Sequence, residues 1–244
     1  MKKIIIIVLI ALLLFLAFLS YRKNHEEEAF DRKVREIAGV EEVIREEETR
    51  GKGAKDGEAE EIAGDSQEGG DMRVNFERLR ELNPDIIAWI YAPGTRINYP
   101  VVYSPDDYYL RRDLEGKYNS HGTIYTRKGD FPGRAAIIYG HNMRDNTMFG
   151  TVDLFFDGGL TSGLTIFLPG ETRHYSFHSA YVERPYDLEE MFNGFLSEED
   201  VGDYISYVED RSGKETSSES QIITLSTCTP DGKQRLIVNF TYDA

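Results

Sequence analysis

The sequence is short of cysteine. One thiol, Cys228, stands among 244 residues, so no internal disulfide can form. A solitary thiol is a partner for another chain, a small buried hydrophobe or a reactive nucleophile. Its place at a strand end beside a turn, rather than mid-strand, weighs against the buried hydrophobe. The chain is also short of positive charge: 28 lysines and arginines face 43 aspartates and glutamates, a net charge of −15. Nucleic-acid binding needs a basic surface and is excluded. No His, Cys or carboxylate cluster has ligand spacing, so no metal and no other cofactor is expected. There is no internal repeat.

One long hydrophobic run is present, Ile4–Leu19, preceded by Lys2 and Lys3. It lies at the short end of the ~20 residues that a helix needs to cross a bilayer. Phe18 and Leu19 stand where a cleavage site would need small residues. An uncleaved signal anchor over residues 1–21 is therefore favoured over a cleaved signal peptide. Lys2 and Lys3 place its start in the cytoplasm and the body outside the cell. Residues 22–70 read as a charged stalk or linker. Phe30, Val34, Ile37 and Ile44 recur near helical spacing, so a helix is expected within 25–50. Residues 51–70 cannot bury enough apolar area to fold alone.

The folded body is expected over residues 71–244. Eight prolines, many turn residues and a body rich in tyrosine and phenylalanine favour a mainly β domain. A short helix over Asp71–Leu82 is stopped by Asn83-Pro84. Strands are expected at Ile86–Tyr91, Ile97–Val102, Gly122–Thr126, Ala135–Tyr139, Leu164–Leu168 and Thr172–Val182. Short helices are expected at Asp106–Leu110 and from Met148 to Phe156. Ser197 caps a helix that carries Val201, Tyr204, Ile205 and Val208 on one face and runs to about Asp210. Short strands with one inserted helix suggest a closed β-barrel.

The last hairpin is the most informative stretch. Ile223 and Leu225, then Leu236, Val238 and Phe240, alternate with polar residues in the period-2 pattern of half-buried strands. Pro230-Asp231-Gly232 supplies turn chemistry between them. If Cys228 faces Arg235, then Leu225 pairs with Val238 and Ile223 with Phe240 on one apolar face. The other face carries Cys228 beside Arg235, Ser226 beside Ile237 and Thr224 beside Asn239. A slip of one residue would turn the apolar set outward. A thiol and a guanidinium thus stand side by side on the polar face, at the mouth of the hairpin.

A thiol becomes a good nucleophile beside a base or a positive charge. Of the five histidines, His25 lies in the stalk, and His174 and His178 read as outward positions of a strand. His121 sits in a loop. His141 follows the buried strand Ala135–Tyr139 and Gly140, where a rigid scaffold presents a side chain. It is either the catalytic partner or a loop histidine without a role.

These residues resemble the sortases. Thr224-Leu225-Ser226-Thr227-Cys228 with a following arginine, and Tyr139-Gly140-His141-Asn142-Met143 upstream, carry the likeness. Asn83-Pro84-Asp85-Ile86-Ile87-Ala88-Trp89-Ile90, Pro93-Gly94-Thr95, Tyr99-Pro100-Val101-Val102 and Met148-Phe149-Gly150 are similar to class B members in particular. The resemblance implies an eight-stranded sortase barrel, with an N-terminal helix and a helix before the last hairpin, on the outer membrane face of a Gram-positive bacterium. It implies a cysteine transpeptidase that cleaves an Asn-Pro-x-Thr-like sorting signal at the C-terminus of secreted proteins. The Thr is then joined to an amine of a lipid II-type wall precursor or to a pilin lysine. By resemblance Cys228 is the nucleophile, His141 the general acid and base, and Arg235 the group that steadies the substrate carbonyl or the oxyanion. Ser226, Thr227, Leu225 and Asn142 are expected to bind substrate. Two departures stand out. The connection from Cys228 to Arg235 is shorter than in many class B members. Thr126-Arg127-Lys128 stands where relatives often carry an acidic residue, so no residue is assigned to orient His141. Two other readings remain open at this point: a thiol hydrolase that transfers to water, and a non-catalytic binding module.

Overall fold

The computed structural model describes residues 2–40, 74–184, 200–217 and 219–242. The chain divides into two compact units, Met1–Ile62 and Ala63–Ala244. In the first, helix α1 runs unbroken over Lys2–Ala38, across the expected boundary between anchor and stalk. Its large apolar side chains Ile5, Leu9, Leu13 and Phe18 are each more than half exposed. Among the described residues no helix is long and apolar enough to cross a membrane, so the expected transmembrane anchor is not found there. Ile4, Val8 and Leu19 of the apolar run have side chains outside the described set. The expected linker over 51–70 also lies outside it.

The second unit opens with helix α2, Phe76–Leu82. It starts later than the expected Asp71 because Asn75 caps it, its side-chain oxygen accepting from Arg78 N at 3.0 Å. Such a cap satisfies one of the first-turn N–H groups that have no partner within the helix. Asn83 ends the helix ahead of Pro84. Eight strands follow: β1 Ile86–Tyr91, β2 Asn98–Tyr103, β3 Tyr125–Thr126, β4 Ala135–Tyr139, β5 Leu164–Leu168, β6 Glu171–Glu183, β7 Gln221–Cys228 and β8 Arg235–Tyr242. They close into a barrel in the order β1-β2-β3-β4-β7-β8-β6-β5. The β2–β3 and β4–β7 pairs are parallel and the rest antiparallel.

Alternation along the strands fills the barrel. Ala88, Ile90, Ile138, Leu225, Val238 and Phe240 are fully buried in its interior. The hairpin register is the expected one: Ile223 pairs with Phe240, Leu225 with Val238, and Cys228 with Arg235. The other face of that hairpin is not solvated, as its polar residues suggest. Helix α3, Asp200–Ser212, lays Val201, Tyr204, Ile205 and Val208 over Ala135, Ile137, Ile222 and Ile237. Thr224 and Asn239 are buried beneath it. Buried polar groups need partners. Thr224 Oγ1 donates to Asn239 Oδ1 at 2.7 Å and accepts from Tyr204 of α3; Asn239 Nδ2 donates to Ser179 Oγ at 3.1 Å.

Three local expectations fail for identifiable reasons. His178 is buried, not outward, because a bulge between Phe177 and Ser179 shifts the β6 register. Its ring bonds Ser179 Oγ at 2.9 Å and Thr216 Oγ1 at 3.1 Å. The strand expected over Gly122–Thr126 shortens to two residues. Gly122 and Thr123 direct their backbone N–H groups to the Asn119 and Tyr109 carbonyls instead of a neighbouring strand. The helix expected from Met148 contracts to a 3-10 turn at Val152–Phe155, because Met148 adopts φ 52°.

Candidate active site

Two adjacent parallel strands set the site. Ile138 of β4 lies beside Leu225 of β7, and Tyr139 beside Ser226. Gly140 N still reaches the Ser226 carbonyl at 3.4 Å, and continuing that register by one and two residues sets Gly140 by Thr227 and His141 by Cys228. Side chains clamp the two ends together. Thr227 Oγ1 donates to the Gly140 carbonyl at 2.7 Å, and Asn142 Nδ2 donates to the Cys228 carbonyl at 2.8 Å. Gly140 is needed for close approach. A Cβ there would lie 2.5 Å from Ile124 Cδ1 and 2.8 Å from Phe149 Cδ2.

The β7–β8 turn presents the third group. Thr229 N donates to the Gln234 carbonyl at 2.9 Å. Asp231 Oδ1 accepts from Thr229 Oγ1 at 2.6 Å and from Lys233 N at 3.1 Å. Gly232 takes φ 73°, a left-handed value that suits glycine. The closed turn leaves Arg235 opposite Cys228, and Arg235 Nη1 donates to Cys228 Sγ at 2.5 Å.

His141 is oriented by main chain. Its Nε2 lies 2.7 Å from the carbonyl of Leu110, in the 3-10 turn Tyr108–Arg111. A carbonyl can only accept, so in the neutral ring Nε2 carries the proton and Nδ1 is left to take or give one. Burial pushes the His141 pKa below the usual histidine value. The Leu110 carbonyl opposes the shift, while the charges of Arg111, His121 and Arg235 add to it.

Beside the mouth, Arg127 and Tyr125 both donate to Asp107 Oδ1, at 2.5 and 2.8 Å. Burial alone would raise the Asp107 pKa. The hydrogen bonds from Arg127 and Tyr125, with the Arg127 charge, outweigh it and hold the carboxyl below its usual range. His121, read as a loop residue, lies 3.0 Å from Asp145.

Of the residues expected at the site, Cys228, His141, Arg235 and Asn142 meet at one mouth. Thr227 is buried, and its hydroxyl ties β7 to β4 rather than facing a groove. Ser226 shares the Cys228 face and is buried. Leu225 cannot line a substrate groove: its strand position points it into the barrel interior, where it is fully buried. The Leu110 carbonyl was not foreseen, since no side-chain pattern announces a main-chain acceptor from a loop. Among the described residues no group of His, Cys, Asp or Glu could hold a metal ion. A thiol bonded to a guanidinium, with an imidazole at the same strand ends, is a constellation for nucleophilic acyl transfer.

The model of the sortase domain matches residues 90–241. The chain belongs to the sortase family. It is 31% identical over 169 residues to sortase B of Listeria monocytogenes, covering 65% of this chain and 69% of that protein. Clostridium perfringens sortase B superposes with a TM-score of 0.59 at 27% identity, covering 69% of this chain and 100% of the other. A sortase B solved in complex with triglycine superposes with a TM-score of 0.55 at 25% identity, covering 68% of this chain and 84% of that one. These relatives place the chain in class B. Sortases are cell-wall sorting transpeptidases of the Gram-positive cell surface.

Proposed function

We propose that this sortase cleaves an Asn-Pro-x-Thr-like signal at the C-terminus of secreted proteins and joins the Thr carboxyl to an amine of a wall precursor. The observation that carries the reading is the Cys228–Arg235 contact, at 2.5 Å, at the same strand ends as His141. Cys228 passes its thiol proton to His141, and Sγ attacks the Thr carbonyl carbon. The tetrahedral oxyanion forms beside the Arg235 guanidinium, the C–N bond breaks, and His141 gives the leaving amine a proton. The thioester then meets an incoming amine, which loses a proton to His141 as the C–S bond breaks, and His141 returns that proton to the released sulfur. The acceptor is a glycine-type amine of a lipid II-like precursor or a pilin lysine. The triglycine complex of a related sortase B supports the first of these.

Residues 71–244 are the catalytic body, with 22–70 as a stalk. The exposed apolar side chains of α1 support a tether at the membrane surface, where the substrates and the lipid-linked acceptor meet. Carbonate extraction of the full chain tests the tether. Release into the soluble fraction would remove it.

Incubation with an Asn-Pro-x-Thr peptide, with and without triglycine, tests the reaction. Mass spectrometry should find a thioacyl adduct on Cys228 and, with triglycine, a Thr–Gly product. Hydrolysis alone under excess amine would make the enzyme a thiol hydrolase instead.

A further inference from the structure

The turn that supplies the Leu110 carbonyl is itself tied to the strands that carry His141. Tyr108–Arg111 is a single 3-10 turn, closed by Leu110 N donating to the Asp107 carbonyl at 3.0 Å. So short a 3-10 piece has little rigidity of its own. It is fixed from outside at two points. Tyr109 is the first. It is buried, and its hydroxyl donates to Asp85 Oδ2 at 2.7 Å and accepts from Asn83 Nδ2 at 2.8 Å. A turn pinned at one point can still pivot.

Asp107 supplies the second point. It stands at the cap position of the turn, yet its side chain makes no cap bond. It reaches across to β3 and the residue after it, where Oδ1 accepts from Tyr125 Oη and from Arg127 Nη2. Tyr125 pairs with Tyr139 of β4 in the ladder, and the two rings stack with centroids 5.3 Å apart. The Arg127 guanidinium lies 5.4 Å from the Tyr139 ring centroid. Tyr139 leads through Gly140 into His141. The contacts close a circuit: β4, His141, the Leu110 carbonyl, the turn, Asp107, β3 and back to β4. Asp107 is half exposed, so the ion pair adds little to stability. What it fixes is the place of the turn. Burial, and then the hydrogen bond to Asp107, push the Tyr125 pKa far up, so that hydroxyl stays a donor.

We propose that Asp107, gripped by Arg127 and Tyr125, is a positioning residue for His141: it sets the turn so that the Leu110 carbonyl meets Nε2. The ring thereby keeps its proton on Nε2 and presents Nδ1 to the reaction. Arg127 acts on the imidazole only through Asp107 and the turn. This role rests on the reading of His141 as acid and base given above.

Exchange of the His141 Nε2 proton with water reads the contact directly and needs neither sorting peptide nor amine. The full chain is labelled with histidine carrying nitrogen-15 in its ring. Proton–nitrogen NMR at pH 8 follows the Nε2–H signal, assigned by its absence in His141→Gln. Arg127→Met keeps bulk over Tyr139 and removes the grip on Asp107. Exchange should then quicken roughly five- to tenfold, the worth of about one hydrogen bond. Were Arg127 only a nearby positive charge, its loss would slow hydroxide-catalysed exchange. A slower or unmoved rate overturns the role, whatever the melting temperature does. Absence of a protected Nε2–H signal in the parent chain would overturn it too. Arg127→Lys keeps the charge without the fork and should recover only part of the loss. Tyr125→Phe withdraws the other donor with no change of charge and should quicken exchange by less. Should Arg127→Met not fold, an unmoved rate in Tyr125→Phe would equally overturn the role. Quickened exchange in a chain that forms no thioacyl adduct would leave this role standing and remove the functional reading. An unmoved rate in a chain that transfers would do the reverse.

Discussion

Arg235→Ala isolates the guanidinium. The structure sets the expected size on two scales. For catalysis, Arg235 Nη1 reaches Sγ at 2.5 Å, and the proposed mechanism forms its oxyanion beside this guanidinium. A preorganised donor of that kind is worth about 3–4 kcal/mol in the transition state. At about 1.4 kcal/mol per tenfold, thioacylation should slow by roughly 10²–10³. For stability, Arg235 is half-buried at the hairpin mouth, and the β8 main-chain ladder does not depend on its side chain. The loss should stay within about 1 kcal/mol. Arg235→Lys should recover little of the rate, because an ammonium lacks the planar fork. Quenched single-turnover reactions with an Asn-Pro-x-Thr peptide, analysed by mass spectrometry, give the rate. Urea unfolding followed through Trp89, the one tryptophan of the chain and fully buried in β1, gives the stability on the same samples. A folded Ala variant within a few-fold of the parent rate would refute the catalytic role. An unfolded one would make Arg235 structural.

Two further outcomes follow from the strand-end clamps and from burial. Thr227→Val keeps the volume but strips the Gly140 carbonyl of its 2.7 Å donor, so urea unfolding should report a loss of about 1–3 kcal/mol, with slower thioacylation as His141 loosens; an unchanged midpoint would mean the clamp is dispensable. Burial holds His141 below its unfolded value of 6.5. As pH falls below that value the unfolded chain takes the proton first, so the stability present above it is lost as pH drops through the lower folded pKa. His141→Gln should flatten that acid limb in urea midpoints measured from pH 4 to 8. A limb of unaltered slope would show that His141 does not titrate differently on folding.

What was legible in the sequence follows the range of the forces involved. The β7–β8 register could be read because the apolar alternation and the Pro230-Asp231-Gly232 turn are both local, and a slip would have put Leu225 outside. The same alternation hid the fate of the other face. Thr224 and Asn239 look solvated until α3 covers them, and only a distant helix decides that. His178 was misplaced because a bulge resets the period of two, and no residue type marks this one. Leu225 was carried to the substrate by its neighbours in the motif, although its own strand parity already pointed inward. His141 and Cys228 could be nominated from strand-end positions. The Leu110 carbonyl could not, since it is main chain and comes from a distant turn.

The barrel order has a consequence for how the enzyme comes to life. Strands β7 and β8 sit between β4 and β6, yet synthesis delivers them after both. Until they arrive, the wall has a gap whose two sides cannot pair with one another. Closing it is a long-range step, which the entropy of loop closure makes slow. The same insertion carries Cys228 and Arg235 to the end of β4, where His141 follows. The nascent chain is therefore chemically silent, and the thiol is armed only by the event that completes the fold. Thioacylation competence is thus a direct clock for barrel closure.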